Sequence, residues 1–377
     1  MQVAIRGYGS KLQLINQLRR IDEINVKYAI DKNQDLWGTV RDGLVYISPM
    51  RAYSLYEKGE IEKIFINSYF ALSTMEDICK EMQMMGFEER DICVPSTKTL
   101  EEGEIKLEDI VNGAYEFSKL RRLQILQYHI ADHCNLNCKG CNHFSPLVKD
   151  KVFPELEKVV SDLKRIREVV DVIDWIAILG GEPLLNPNWK AYAKVTRELW
   201  ENSYISIFTN GLLVRRLSDE DIAFLKEWDI AITISLYKIN WGIIDEIICW
   251  LREKGVKCKV DMAGGPICEF TSSFNLDSHD DYIEKRKMCT QKCTCIRDGK
   301  MTPCAPMMFV NTFNDYFNKS LPEEKPVDIW AEDFTFETLR NGLNKPMEIC
   351  KFCDRSSVKK WENASHKNEL HIEDWLI

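Results

Sequence analysis

Between Leu123 and Met262 the chain alternates short apolar runs with amphipathic stretches through nine successive segments. Five of them, LQILQYHI, DWIAILGGEP, YISIFTNG, IAITISLY and KCKVDM, read as strands. The four that separate them, from ELEKVVSDLKRIREVV to GIIDEIICWLREKG, repeat apolar residues at helical spacing. Alternating β and α units pair their strands in parallel and lay helices on the sheet. The expectation is an α/β fold whose centre, residues 116–275, is an open, partial (β/α)6-type barrel with its strand-end loops around one site.

A smaller version of the pattern occupies residues 1–115. QVAIRGYGS, NVKYAID and EKIFINS read as strands, with helical KLQLINQLRRI, SPMRAYSLYEKGE and TMEDICKEMQMMGF between and after them. A small, mainly parallel, Rossmann-like sheet follows. Gly7 and Gly9 sit after the first strand, but Leu12 stands where a dinucleotide fingerprint has its third glycine, and Asp31 ends the second strand. The alternation stops beyond Thr271, leaving a cysteine-rich segment and tail at 276–377.

Fourteen cysteines in 377 residues, without a basic and then apolar leader, point to reduced thiols rather than a disulfide scaffold. No apolar run approaches the ~20 residues of a membrane span, so a cytoplasmic protein is expected. A net charge of -9 argues against nonspecific nucleic-acid or membrane binding. The basic run KLRRL at 119–123 reads as a solvated face.

The first barrel strand delivers ADHCNLNCKGCNHFSP, with Cys134, Cys138 and Cys141 within eight residues. Zinc takes four ligands in a structural site, so His133 or His143 would have to join the trio. Three thiolates on a four-iron cluster instead leave one iron open. Position at a barrel strand end favours the cluster, with zinc as the alternative.

The same spacing, Cys-x3-Cys-x2-Cys after a first strand, resembles the radical S-adenosylmethionine (SAM) superfamily from about Leu123 to Met262. GGEP (Gly180, Gly181, Glu182, Pro183) resembles the second-strand motif that holds the methionine amino group. FTNG (with Thr209, Asn210, Gly211) matches the third-strand motif, and Ser235 the polar fourth-strand residue near the ribose and carboxylate. The resemblance implies a 4Fe–4S cluster on the trio, SAM on its open iron, an electron donor such as flavodoxin or ferredoxin, and hydrogen abstraction by a 5′-deoxyadenosyl radical. Many members carry an aromatic residue before the third cysteine, where this chain has Gly140; Phe144 or Tyr128 are the candidates to stack on adenine instead.

A second set, CTQKCTCIRDGKMTPCAP from Cys289 and CKFCDR from Cys350, resembles the SPASM or shorter twitch extension through Gly299-x4-Cys304 and the distant Cys350-x2-Cys353. That implies one auxiliary 4Fe–4S cluster on Cys304, Cys350, Cys353 and one upstream cysteine, Cys289 or Cys293, with Cys295 not dismissed. A zinc ribbon is the alternative. Cys79, Cys93, Cys249 and Cys258 read as small core residues, and Cys268 as a candidate hydrogen-atom donor. His143, Tyr237, Lys238 and Asn240 follow strand ends and are further candidates. The first unit also resembles small domains on enzymes of polysaccharide and nucleotide-sugar metabolism. The implied substrate is a small or nucleotide-linked carbohydrate, oxidised or epimerised; a ribosomal-peptide maturase and a non-enzymatic zinc module are the competing expectations.

Overall fold

The computed structural model describes residues 1–6, 16, 18–66, 78–79, 81–93, 107, 121–261, 269–270, 273–289, 293–354 and 359–377. Gly7, Gly9, Leu12 and Cys268 lie outside them. The chain forms two compact units, 1–124 and 125–377.

In the first unit the strands are β1 (Gln2–Arg6), β2 (Asn25–Ile30), β3 (Val40–Arg41), β4 (Leu44–Ile47), β5 (Lys63–Ile66) and β6 (Ile92–Cys93). Their order is β3-β4-β2-β1-β5-β6, parallel throughout except for the β3–β4 hairpin. That is the doubly wound arrangement, reversing direction beside β1. Helix α1 (Pro49–Glu57) starts where Ser48 accepts the Arg51 N–H, with proline in its first turn. The Asp31 carboxylate accepts the Asn33 N–H at 2.8 Å, shaping the turn after β2. Three strands, β3, β4 and β6, add to those expected; two are only two residues long, too short for alternation to register.

The second unit is built on one open eight-stranded sheet. Five strands run from the barrel pattern: β7 (Arg122–Ala131), β8 (Val172–Gly180), β9 (Tyr204–Thr209), β10 (Ile230–Ser235) and β11 (Cys258–Asp261). Short β12 (Glu269–Phe270) and β13 (Ser273–Phe274) come next, then β14 (Thr294–Arg297), β15 (Lys300–Thr302), β16 (Val327–Asp328), β17 (Cys353–Asp354) and β18 (Lys359–Lys360). The sheet order is β11-β10-β9-β8-β7-β14-β15-β16. Nearly continuous burial of β7 and β8 marks strands covered on both faces.

Helices α2 (Leu156–Val169), α3 (Trp189–Leu199), α4 (Asp219–Glu227) and α5 (Ile244–Glu253) occupy the expected crossovers. Helix α3 buries Trp189, Tyr192, Ala193 and Thr196, one face at helical spacing. Helix α4 opens on a reciprocal cap between Ser218 and Asp221. The sixth parallel strand, β14, comes from the cysteine-rich segment and pairs with β7 rather than with β11. Sheet pairing therefore crosses residue 275, where the sequence pattern placed a boundary: β13 pairs β17 and β12 pairs β18. Helices α6 (Tyr282–Met288), α7 (Ala305–Phe317) and α8 (Phe336–Asn344) complete the unit.

Packing corrects four expectations. Tyr128 is buried, its hydroxyl 2.7 Å from Thr196 Oγ1 on α3. Phe144 is buried in the core of Phe274, Phe313 and Trp375. Neither ring is left to stack on a nucleobase, because each is consumed by the interior. Cys249 is exposed on α5, since the helix turns Ile247, Ile248 and Leu251 inward. The KLRRL run enters β7, and Arg122 is buried rather than solvated. Among the described residues no helix is long and apolar enough to cross a membrane.

Candidate active site

The ends of β7, β8, β9 and β10 converge on the loop that carries Cys134, Cys138 and Cys141. Gly180 and Gly181 make this approach possible. A Cβ on Gly180 would stand 2.0 Å from the Ala131 carbonyl oxygen, and one on Gly181 2.2 Å from that of His133. Gly180 also has φ +153°, which a side chain disfavours. Their neighbours close the contact: the Gly181 N–H donates to Ala131 O at 2.8 Å and the Glu182 N–H to His133 O at 3.1 Å. The GGEP backbone is thus fastened to the root of the cysteine loop.

Glu182 is fully buried. Its carboxylate accepts from Thr209 Oγ1 (2.7 Å), Asn210 N (2.9 Å) and Leu184 N (3.1 Å). Burial pushes this carboxyl up to about 7 against the pull of those donors. Asn210 passes the connection on, donating to Asn135 Oδ1 at 2.7 Å within the cysteine loop. Asn240 is buried, donates to Asn210 O (3.0 Å) and Ser235 O (2.8 Å), and accepts the Tyr237 N–H (3.0 Å). It ties together the ends of β9 and β10, so its role is architectural. Tyr237 is hydrogen-bonded to Ser235 through their side chains, and both line the central cavity. Lys238 is exposed and does not line it.

That cavity encloses about 440 Å³, within the ~300–1,000 Å³ usual for small-molecule sites. Cys141, Ser235 and Tyr237 line it, and so do Cys289, Cys304, Cys350 and Cys353. The second cysteine set is gathered from four places. Cys289 ends α6 and Cys304 begins α7. Cys350 lies in a 3₁₀ turn and Cys353 starts β17. Burial pushes Cys304 up to about 12, with the nearby Cys353, Cys350 and Cys289 sulfurs adding to the rise. Cys293 also lines the cavity, and it and Cys304 both lie near Cys295, whose thiol faces Gln127 Oε1 at 3.6 Å.

His143 reaches the same cavity and also lines a second one of about 490 Å³. Its Nδ1 shares a proton with His129 Nε2 at 2.8 Å; His129 Nδ1 meets Asp132 at 3.2 Å, and Arg297 forks onto Asp132 at 2.7 and 2.8 Å. Burial and the neighbouring His129 push His143 down to about 3, so it is neutral at pH 7. Phe144, at φ +52°, turns the chain just after it. His133 packs edge-on against Phe153. Among the described residues no three His, Cys, Asp or Glu side chains converge as a single-ion site would require.

Residues 128–267 match the radical SAM superfamily. That segment carries a radical SAM domain. Its relatives include GTP 3′,8-cyclase of Aquifex aeolicus, 23% identical over 58% of this chain and 68% of the relative. The GTP 3′,8-cyclase of Clostridium acetobutylicum is 32% identical over 26% of this chain and 31% of its own length. Among solved structures, BtrN in complex with AdoMet and 2-DOIA aligns at 18% identity over 68% of this chain and 98% of that one, with a TM-score of 0.37.

The radical SAM cofactors are a 4Fe–4S cluster and S-adenosylmethionine, and the donor set fits them. Burial pushes the Cys134 thiol up to about 12 and raises Cys141, so thiolates in this loop require the positive charge of bound iron. Three soft sulfur ligands with no fourth in the loop suit a cluster with one open iron. The cysteine-rich segment is consistent with an auxiliary cluster. Sequence reasoning missed the Glu182 tether, the His129, Asp132 and Arg297 network, and the C-terminal tail. Glu182 was visible inside GGEP; no spacing rule links residues 132 and 297 or 138 and 361.

Proposed function

We propose that this radical SAM enzyme oxidises a small, polyhydroxylated substrate of the carbohydrate class. Cys134, Cys138 and Cys141 hold the cluster that binds SAM, and Cys289, Cys304, Cys350 and Cys353 hold the auxiliary one. When bound, these groups would supply a 5′-deoxyadenosyl radical and a nearby one-electron acceptor. The observation that carries the reading is the shared cavity, which Cys141 lines together with the second cysteine set.

The protein's own work is positioning. Gln127, Asn142, Ser235, Asp261 and Asp354 present hydrogen-bonding groups around the cavity, as a substrate with several hydroxyls would need. His143, neutral and held by His129, lines the same cavity. The GGEP and TNG segments keep the strand ends fixed through Glu182, so the bound reactants stay in register.

The test is anaerobic turnover with a panel of polyols, sugars, nucleotide sugars, guanosine triphosphate and candidate peptides. Deuterium should pass from a C–H of a carbohydrate into 5′-deoxyadenosine, with one carbonyl product per SAM cleaved. Deuterium transfer only from a peptide or only from the nucleoside triphosphate would refute the proposal, and an epimer in place of the carbonyl would refute oxidation.

A further inference from the structure

The segment after Lys360 closes over the cysteine-trio loop. Trp361 aims its indole Nε1–H at the Cys138 sulfur, 3.2 Å away. Its ring stacks on Tyr237, with centroids 5.5 Å and planes 13° apart. The two aromatics share an apolar cluster with Leu136, Leu212 and the three cysteines. Backbone pairing fixes the register: Lys139 N–H donates to Glu362 O (2.9 Å), Ala364 N–H to Asn137 O (3.0 Å), and Asn137 N–H to Asn363 Oδ1 (2.7 Å). Further on, Trp375 donates its indole N–H to Cys141 O at 3.0 Å.

We propose that residues 361–375 are part of the cluster site, and that Trp361 donates to the Cys138 ligand and thereby holds the cluster at a higher reduction potential than its three cysteines alone would give. The proposal rests on Cys138 being a cluster ligand and is independent of the substrate. An indole N–H is a donor only and, once buried, must find an acceptor. A metal-bound thiolate is a stronger acceptor than a thiol. Donation to ligand sulfur stabilises the reduced cluster, the more negative state, over the oxidised one. Trp361 and Tyr237 also supply beside Cys138 the aromatic wall that Gly140, at φ +73°, cannot.

The experiment is an EPR-monitored redox titration of the reconstituted full chain, following the cluster signal that added SAM perturbs. Trp361→Phe keeps a ring and removes the N–H. Its midpoint should fall by the equivalent of a three- to tenfold change in the reduced-to-oxidised ratio, up to about 59 mV for one electron, at unchanged iron content. Trp361→His, which restores a ring N–H, should recover part of the shift. An unchanged midpoint with the cluster intact overturns the proposal. If Trp361→Phe fails to hold the cluster, the wild-type protein carrying ¹⁵N-indole tryptophan decides. Pulsed EPR of the reduced cluster should show a ¹⁵N coupling, and its absence overturns the proposal. A wild-type protein that binds no iron would instead defeat the cluster reading itself.

Discussion

Cys141 of the first cysteine set and all four members of the second line one cavity, but the two sets are built in opposite ways. Cys134, Cys138 and Cys141 share a single loop after β7, pinned by direct backbone contact with Gly181 and Glu182. Cys289, Cys304, Cys350 and Cys353 come from a helix end, a helix start, a 3₁₀ turn and a strand. Of these, Cys304 and Cys350 pack on the core of Phe274, Phe313 and Trp375, as Cys293 does, and the same core takes in Phe144 from just beyond the trio. A local set depends on one turn and its neighbours; a dispersed set depends on a whole core. The two should therefore fail separately when ligands are removed, and together when the shared packing is disturbed.

Removing ligands has the largest effect. Replacing Cys134, Cys138 and Cys141 by alanine should abolish 5′-deoxyadenosine formation and lower iron from about eight to about four per chain. Replacing Cys350 and Cys353 should remove the other four irons while reductive SAM cleavage persists. Iron and labile-sulfide analysis with product chromatography checks both. 5′-Deoxyadenosine surviving loss of the trio would break the assignment.

Next comes the contact that holds the trio's loop. In Gly181→Ala the new Cβ would meet the His133 carbonyl and the Cys134 N, all backbone, at 2.2 to 2.8 Å. Backbone on both sides leaves no flexible side chain to yield, so a loss of several kcal/mol and a matching drop in denaturation midpoint are expected. A midpoint within about 0.5 kcal/mol of wild type would show that the strand ends are not rigidly joined.

The same contrast explains what the sequence could tell. The trio, GGEP and TNG were legible because each lies in one short segment at a strand end, where periodicity and spacing carry the information. The helices α2 to α5 were legible for the same reason. Sequence left Cys289 against Cys293 open because both lie within reach along the chain, and both line the cavity. Tyr128 and Phe144 were misjudged since proximity in sequence to a motif says nothing about which side of a strand or turn a ring takes. The unexpected pairing of β14 with β7, and Trp361 against Cys138 across 223 positions, are long-range facts that no local pattern encodes.

Glu182 gives a smaller, pH-dependent effect. Its carboxyl is raised from 4.5 to about 7, so between those values the native chain holds a proton that the unfolded chain has released. Stability then falls as pH rises through that window, by on the order of 3 kcal/mol, and levels above it. Glu182→Gln should flatten this slope. At pH 5 it should be less stable by about 1–3 kcal/mol, because its amide cannot accept from all three donors. Denaturant midpoints from pH 4.5 to 8 measure the difference, and parallel curves for the two proteins would contradict the buried-carboxylate account.

The smallest effect, none at Cys293, is the sharpest test of how the dispersed set is gathered. Cys304 lies with Cys289, Cys350 and Cys353, and Cys293 and Cys304 both lie near Cys295, whose thiol turns to Gln127. Both Cys289 and Cys293 line the cavity, so exposure to it does not distinguish a ligand from a bystander. Cys289→Ala should cost the auxiliary cluster's iron, whereas Cys293→Ala should keep the full iron count and change the EPR signal of neither cluster. The reverse outcome would move the ligand from the end of α6 to the strand side of the hairpin. Because the hairpin strand β14 is hydrogen-bonded to β7, the auxiliary cluster would then be fixed to the barrel sheet itself rather than to the α6 and 3₁₀ packing. The relative stability of the two clusters to α6 mutations would change accordingly.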